Sequence, residues 1–263
     1  KWESLKLFVE YGMLTEERFV DRAMKFLLLK NSEGNYFTLD EYKTLVEASQ
    51  ENKEGELLFL YSDDLEEQHT PVSTAKEKGY DVLLMDGQLD VHWMGLLERK
   101  REKTRFVRVD SDTVEHLIEK GEATKVELTD EQQEILGEAV KAVLPPIEKT
   151  EFSVEFKALG EQGVPVQITR NEFSRRMKEM AAMQQQMAFY GEMPDMCQVV
   201  LNVDDPRLKT WMTENENVEK EKVVEKAKND DRLKQMIDLA LLSSGMLKGE
   251  ALSDFVKRNF ETI

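Results

Sequence analysis

Between residues 56 and 120 short apolar runs alternate with helical patterns, and this alternation constrains the fold more than any other feature of the chain. Leu57-Leu58-Phe59-Leu60-Tyr61 is an unbroken apolar run of strand length, closed by Ser62-Asp63-Asp64. Thr70-Pro71 opens a helix, because a first-turn residue needs no intrahelical hydrogen bond, and Gly79 ends it. Tyr80-Asp81-Val82-Leu83-Leu84-Met85 predicts a second strand, Asp86-Gly87 a turn and Leu89–Glu98 a helix. Arg105-Phe106-Val107-Arg108-Val109 predicts a third strand, and Ser111 or Asp112 caps a helix to Glu119. Strands joined through helices by short links run mostly parallel with helices on their faces, so residues 49–122 predict a small αβα layer lobe.

Residues 1–48 read as a helical segment. Leu5, Phe8, Val9 and Gly12 share one side of a 3.6-residue period, with Gly12 as the stop. Thr15-Glu16-Glu17-Arg18 predicts the start of a helix through Leu29, with Phe19, Ala23, Phe26, Leu27 and Lys30 on one face. Asn31-Ser32-Glu33-Gly34-Asn35 is a turn, and Thr38-Leu39-Asp40-Glu41 has the form of a capping box opening a helix to Ala48. The chain opens on Lys1-Trp2-Glu3, without Met and inside a helical pattern, so a piece of a longer protein is expected.

A polar, acidic stretch over 119–131 marks a domain boundary. Asp130 caps a helix to about Leu144, stopped by Pro145-Pro146. Phe152–Leu159 and Pro165–Thr169 alternate like strands around Gly160-Glu161-Gln162-Gly163 and predict an antiparallel pair. Asn171–Tyr190 is a long helix, Gln198–Val203 a strand ended by Asp204-Asp205-Pro206, and 207–263 helices. The fold class is therefore α/β (α+β): a helical segment, a small αβα lobe, and a mixed α/β domain over 127–263 ending in a helix pair.

Composition removes several functions. With 53 acidic against 36 basic residues the net charge is −17, which repels phosphate backbones and argues against nucleic acid as a partner. Cys197 is the only cysteine, so there is no intramolecular disulfide and no multi-cysteine metal site. No apolar run approaches the ~18–20 residues that span a bilayer, and no signal-peptide pattern opens the chain, so no membrane partner is expected; a single cysteine fits a reducing compartment, and a cytoplasmic location is the expectation. Leu29 stands where a calcium loop centred on Gly34 would need its first oxygen ligand. His69, His92 and His116 form no ligand pair, and no glycine loop is spaced to cradle phosphate.

Three constellations remain. Phe173, Met177, Met180, Met183 and Met187 recur at spacings of three and four and make an apolar helical stripe, while Arg175, Arg176, Lys178 and Glu179 face elsewhere. Such a stripe is either core or a surface that adapts to varied partners, since methionine is flexible and polarizable. Leu233, Met236, Ile237, Ala240 and Leu241 form a second stripe, with Leu239 and Leu242 on another side of the same helix. Leu252, Phe255, Val256 and Phe260 line the helix after Gly245. That pair packs within one subunit or closes a two-fold four-helix interface with a second copy. Leu89-Asp90-Val91-His92-Trp93-Met94 offers an exposed contact or a helix core.

Five stretches, in order, resemble the ninety-kilodalton heat-shock chaperones in their bacterial HtpG form. Trp2-Glu3, Tyr11-Gly12-Met13 and Glu17-Arg18-Phe19 are similar to a helical segment late in that family's middle domain. Tyr36-Phe37-Thr38-Leu39-Asp40-Glu41-Tyr42 resembles its Y-x-T-L-x-E-Y signature, and Val82–Asp86 through Leu89-Asp90 its strand-turn motif. Leu201-Asn202-Val203-Asp204-Asp205-Pro206 resembles its L-N-P-x-H-P segment, with Val203 and Asp205 in place of Pro and His. Asp238–Leu242 and Phe255-Val256-Lys257-Arg258 resemble its dimerising helices.

The resemblance implies a client-holding, homodimeric chaperone fragment made of the end of the middle domain and the dimerisation domain. It implies that ATP and Mg belong to the full-length family and that this piece, lacking the ATPase domain, is no enzyme and holds no cofactor. Clients would contact Phe173, Met177 and Met180, with Met183 and Met187 extending the stripe by periodicity, and a patch at His92, Trp93 and Met94, where the register leaves either His92 or Trp93 as the aromatic contact. Dimerisation would use Leu233, Met236, Ile237, Ala240, Leu241, Leu252, Phe255, Val256 and Phe260. The competing readings are a small-ligand α/β enzyme, with Asp63, Asp64, Asp86 and Ser111 at the strand ends, and a scaffold dimer without a client surface.

Overall fold

The computed structural model describes residues 1–118, 125–183, 194–216 and 218–261, without the side chains of 115 and 179–183. It forms two compact units, Lys1–Glu122 with Glu172–Met193, and Ala123–Asn171 with Pro194–Ile263.

The first unit begins with α1 (Lys6–Thr15) and α2 (Glu17–Ala23). Gly12 does not stop α1. A Cβ at position 12 would lie 3.0 Å from the Phe19 ring, so this glycine lets the two helices approach closely. The helix predicted through Leu29 ends at Ala23. Leu28–Lys30 (β1) instead pairs antiparallel with Tyr36–Thr38 (β2) around the predicted 31–35 turn. Asn31 fixes that turn, its Oδ1 accepting from the N–H groups of Glu33 and Asn35. The capping box forms: the Thr38 side chain accepts from Glu41 N–H and the Glu41 carboxylate from Thr38 N–H, starting α3 (Leu39–Gln50).

The lobe is the parallel layer structure expected. β3 (Leu57–Ser62) is central and buried along its whole length, flanked by β4 (Leu83–Leu84) and β5 (Thr104–Arg108), both parallel to it. Between them run α4 (His69–Glu77) and α5 (Asp90–Lys100), and α6 (Val114–Leu117) follows β5. The period-2 alternation of β3 divides its side chains between two cores. Leu57, Phe59 and Tyr61 join residues of α3 and α5, whereas Leu58 and Leu60 join Val72 and Ala75 of α4 and Val114 and Leu117 of α6. Aromatic edges stack through the first core, with ring centroids 5.0 Å apart for Tyr42–Phe59, 5.4 Å for Phe59–Phe106 and 5.7 Å for Trp93–Phe106.

The second unit contains α7 (Asp130–Val143), β6 (Thr150–Lys157), β7 (Val166–Arg170), β8 (Asp195–Asn202), α9 (Pro206–Asn215), α10 (Lys220–Ala227), α11 (Asp231–Ser243) and α12 (Gly249–Glu261). Thr129, one residue before the predicted cap, holds the start of α7 in a capping box with Gln132. The antiparallel pairing expected of β6 and β7 is corrected. The sheet order is β6-β8-β7, with β8 parallel to β6 and antiparallel to β7. β8 carries the longest fully buried apolar run of this sheet, Val199-Val200-Leu201, and takes the centre, where a strand is covered on both edges. Buried Asn202 closes the crossing linker: its Oδ1 accepts from the N–H groups of Leu159 and Asp204, and its Nδ2 donates to the Gly160 carbonyl. Asp205 caps α9, with Pro206 in the first turn.

Candidate functional site

The methionine stripe lies on α8 (Glu172–Met183), which follows β7 directly in sequence. Its first turn is charged, and the spacing of Glu172, Arg175 and Arg176 puts those side chains on one face. That face meets the lobe. Glu172 Oε1 accepts from the Tyr61 hydroxyl at 3.0 Å, from Arg175 Nη2 at 2.9 Å and from Arg176 Nε at 2.6 Å. Arg175 also bonds the Tyr61 oxygen, and its guanidinium carbon lies 5.7 Å from the Tyr61 ring centroid. Arg176 Nη1 donates to both Glu98 oxygens, at 3.1 and 2.9 Å, and its Nη2 to the Phe106 carbonyl.

The edge of β5 explains these partners. Phe59 faces Phe106 in the ladder, and the Phe106 N–H and C=O point away from β3. Glu98 of α5 accepts that N–H at 2.7 Å, and Arg176 donates to that carbonyl. Two side chains thus satisfy the edge where a further strand would otherwise pair. Burial opposes charge on Glu172, but Arg175 and Arg176 outweigh it and hold the carboxyl below its usual range. Burial, then the Glu172 charge, raise the Tyr61 hydroxyl far above the ordinary tyrosine range, so it stays a donor.

On the adjoining face Phe173 is 73% exposed and Met177 half-buried. Met180 and Met183 lie on α8 with side chains outside the described residues, and Met187 lies outside them altogether. The patch on α5 needs correction. Trp93 is 1% exposed and Met94 fully buried, both within the first core, so neither presents surface. The ring of Trp93 is held inward by its Nε1–H, which donates to Asp90 Oδ1 at 2.9 Å. Of the three, half-buried His92 alone reaches solvent.

The dimerisation stripe divides in the same way. Leu233, Met236, Ile237, Ala240 and Leu241 are buried in the second unit's own core with Leu136, Trp211 and Val223, and Leu252 and Phe255 pack against that core half-buried. Those seven side chains therefore hold one subunit together. Val256 and Phe260 of α12 are exposed, the latter at 72%, as are Leu239 and Leu242 on the other side of α11. The two helices are tied by Arg258 to buried Asp238 and by Gln235 Nε2 to Asn259 Oδ1 at 3.0 Å.

The strand ends that could hold a small ligand are already engaged. Arg108, 5% exposed in its side chain, donates to Asp63 at 2.7 Å and to Asp110 at 2.6 and 2.9 Å beyond β3 and β5. Asp64 accepts from the N–H groups of Glu66 and Glu67, Ser111 Oγ donates to the Arg108 carbonyl, and Asp86 lies 3.9 Å from Lys6. Among the described residues no cluster of three or more His, Cys, Asp or Glu could hold a metal, and no helix is long and apolar enough to cross a membrane. Cys197 is buried in β8.

Sequence reasoning set Arg175 and Arg176 aside as pointing elsewhere and did not single out Tyr61, Glu98 or Glu172. The available signal was the i, i+3, i+4 spacing of Glu172, Arg175 and Arg176, which marks a paired charged face.

No protein-family model matches the chain. Curated relatives do. The chain is 42% identical over 318 aligned positions to the chaperone protein htpG of Bacteroides fragilis strain YCH46, the match taking in all of this chain and 47% of the relative. It is 43% identical over 314 positions to HtpG of Porphyromonas gingivalis strain ATCC 33277, covering 98% of this chain and 46% of that protein. For HtpG of Bacteroides thetaiotaomicron the identity is 41% over 318 positions. The chain spans about half the length of these relatives. With overall identities of 41–43% across alignments that take in 98–100% of the chain, the chain belongs to the HtpG family of chaperones.

Proposed function

We propose that this chain is the client-holding and self-associating part of an HtpG-type chaperone. Its work is binding and not chemistry. The observation that carries the reading is the 41–43% identity to HtpG chaperones along the whole chain, and an exposed Phe173 at the head of the methionine stripe supports it. Clients in partly folded states would lay apolar surface on Phe173 and Met177, with Met180, Met183 and Met187 extending the stripe, and His92 of α5 as a second, polar contact. Flexible methionines accept varied shapes, so each contact is weak and unspecific.

Two copies would associate through Val256, Phe260, Leu239 and Leu242, the apolar side chains that α11 and α12 leave exposed. Pairing multiplies weak contacts, since a client held by one copy meets the second at high effective concentration. ATP and Mg binding would belong to the half of the family's length that this chain does not span, and turnover there would reshape the client surface. A net charge of −17 keeps the assembly soluble and favours basic unfolded segments.

The test is suppression of aggregation of a heat-unfolded model protein by the wild-type chain and by Phe173→Ser. Loss of suppression with an unchanged melting temperature supports the reading. Equal suppression by both proteins removes Phe173 from the client surface.

A further inference from the structure

We propose that Tyr61, Glu98 and the Phe106 carbonyl form a receptor for α8, an ionic latch that offers Phe173 while holding Met177 back, and that opening the latch enlarges the apolar surface. The inference rests on the client-binding reading for the use of that surface, but the latch itself stands on geometry.

No described side chain of α8 is fully buried, in contrast to α3, α5, α7 and α11, each of which inserts several. Among the described residues the contacts that fasten α8 are polar: Glu172 to Tyr61, Arg176 to Glu98 and Phe106, and Arg175 over the Tyr61 ring. Charged pairs at partly solvated sites weaken with salt, whereas apolar packing does not. A helix held in this way is among the first elements to open from a fold.

The latch also fixes rotation about the helix axis. With Glu172, Arg175 and Arg176 turned to the lobe, Phe173 projects to solvent and Met177, four residues on, sits half-covered. Opening withdraws Arg176 from the edge of β5 while Glu98 still accepts the Phe106 N–H, so the sheet keeps that edge bond. The receptor thus meters the exposure of Met177 beside Phe173, and a larger apolar patch there would invite self-association.

The experiment is hydrogen–deuterium exchange on the full chain, read in peptides covering 172–178 and in β3 and β5, for wild type, Glu98→Gln and Tyr61→Phe, at low and high salt. The latch predicts about tenfold faster exchange in α8 for both variants, and for wild type at 1 M salt, with β3 and β5 unchanged. It predicts in addition that Glu98→Gln suppresses aggregation of a model protein at lower chaperone concentration than wild type. Unchanged exchange in α8 overturns the latch, and so does equal acceleration throughout β3 and β5, which would report loss of the lobe. Faster exchange in α8 with unaltered suppression overturns the regulatory role. Phe173→Ser is the separate control: lost suppression with wild-type exchange supports the client surface, and retained suppression sinks that reading without touching the exchange result.

Discussion

Trp93 donates its indole N–H to a carboxylate oxygen of Asp90 at 2.9 Å, both side chains lying out of reach of solvent. The other oxygen of Asp90 accepts from Gly87 N–H at 2.9 Å and from Lys6 Nζ at 3.1 Å. Trp93→Phe removes one donor from a buried carboxylate and leaves space beside it. The expected loss is on the order of 2–4 kcal/mol by urea denaturation. Reduced client binding at unchanged stability would instead return Trp93 to the surface.

Glu10 is buried against the same cluster, and its Oε1 accepts no hydrogen bond. Burial first, then the Asp90 charge, push its carboxyl up from 4.5 to about 8, with Lys6 acting in the opposite direction. The folded chain therefore holds this proton more tightly than the unfolded chain. Its stabilising contribution is complete below about pH 4.5 and is lost as pH rises towards 8, by roughly 3–5 kcal/mol in all. Glu10→Gln should flatten the dependence of melting temperature on pH between 5 and 8 and raise stability at pH 8. A slope identical to wild type would exclude Glu10 as its source.

The two sides of α11 and α12 should answer differently to mutation. Leu241→Ala empties a fully buried position and is expected to cost about 2–5 kcal/mol. Val256→Ser with Phe260→Ser should leave the stability of a single subunit within about 1 kcal/mol. Light scattering on a sizing column should give a wild-type mass near twice 30.5 kDa and a double-variant mass near that value itself. A wild type that elutes as a monomer at micromolar concentration would end the proposed self-association.

Asn202 makes three hydrogen bonds, two to the linker between β6 and β7 and one from the Asp204 N–H after β8. Asn202→Ala leaves two backbone N–H groups and one carbonyl short of a partner. The expected cost is on the order of 2–4 kcal/mol in thermal or chemical unfolding. A change below about 0.5 kcal/mol would mean that water takes over all three bonds.

Local signals in the sequence proved legible where one residue type has one physical use. The apolar run 57–61 and the Thr38–Glu41 box each appear as read. Long-range choices were not legible. β1 and β2 have three residues each, too short for a period to register, and their turn is fixed by side-chain bonds from Asn31. The pairing of β6 depends on competition with β8, which no window around either strand contains. The stripe of α11 could be counted, but whether a neighbouring helix or a second copy covers it is decided by the packing of Trp211 and Val223. At the candidate site spacing placed Phe173 on an apolar stripe but left core and surface open, and only the family resemblance offered it as a client contact. The receptor was not, because Tyr61 and Glu172 stand 111 residues apart.

The central place of β8 has a consequence for the order of synthesis. β6 and β7 leave the ribosome with no strand to pair with, since neither bonds the other and their common partner ends only at Asn202. At ~5–20 residues per second the wait lasts some seconds, during which two strands expose open edges. A chain of the chaperone family thus passes, at its own birth, through the kind of unfinished state that chaperones exist to hold.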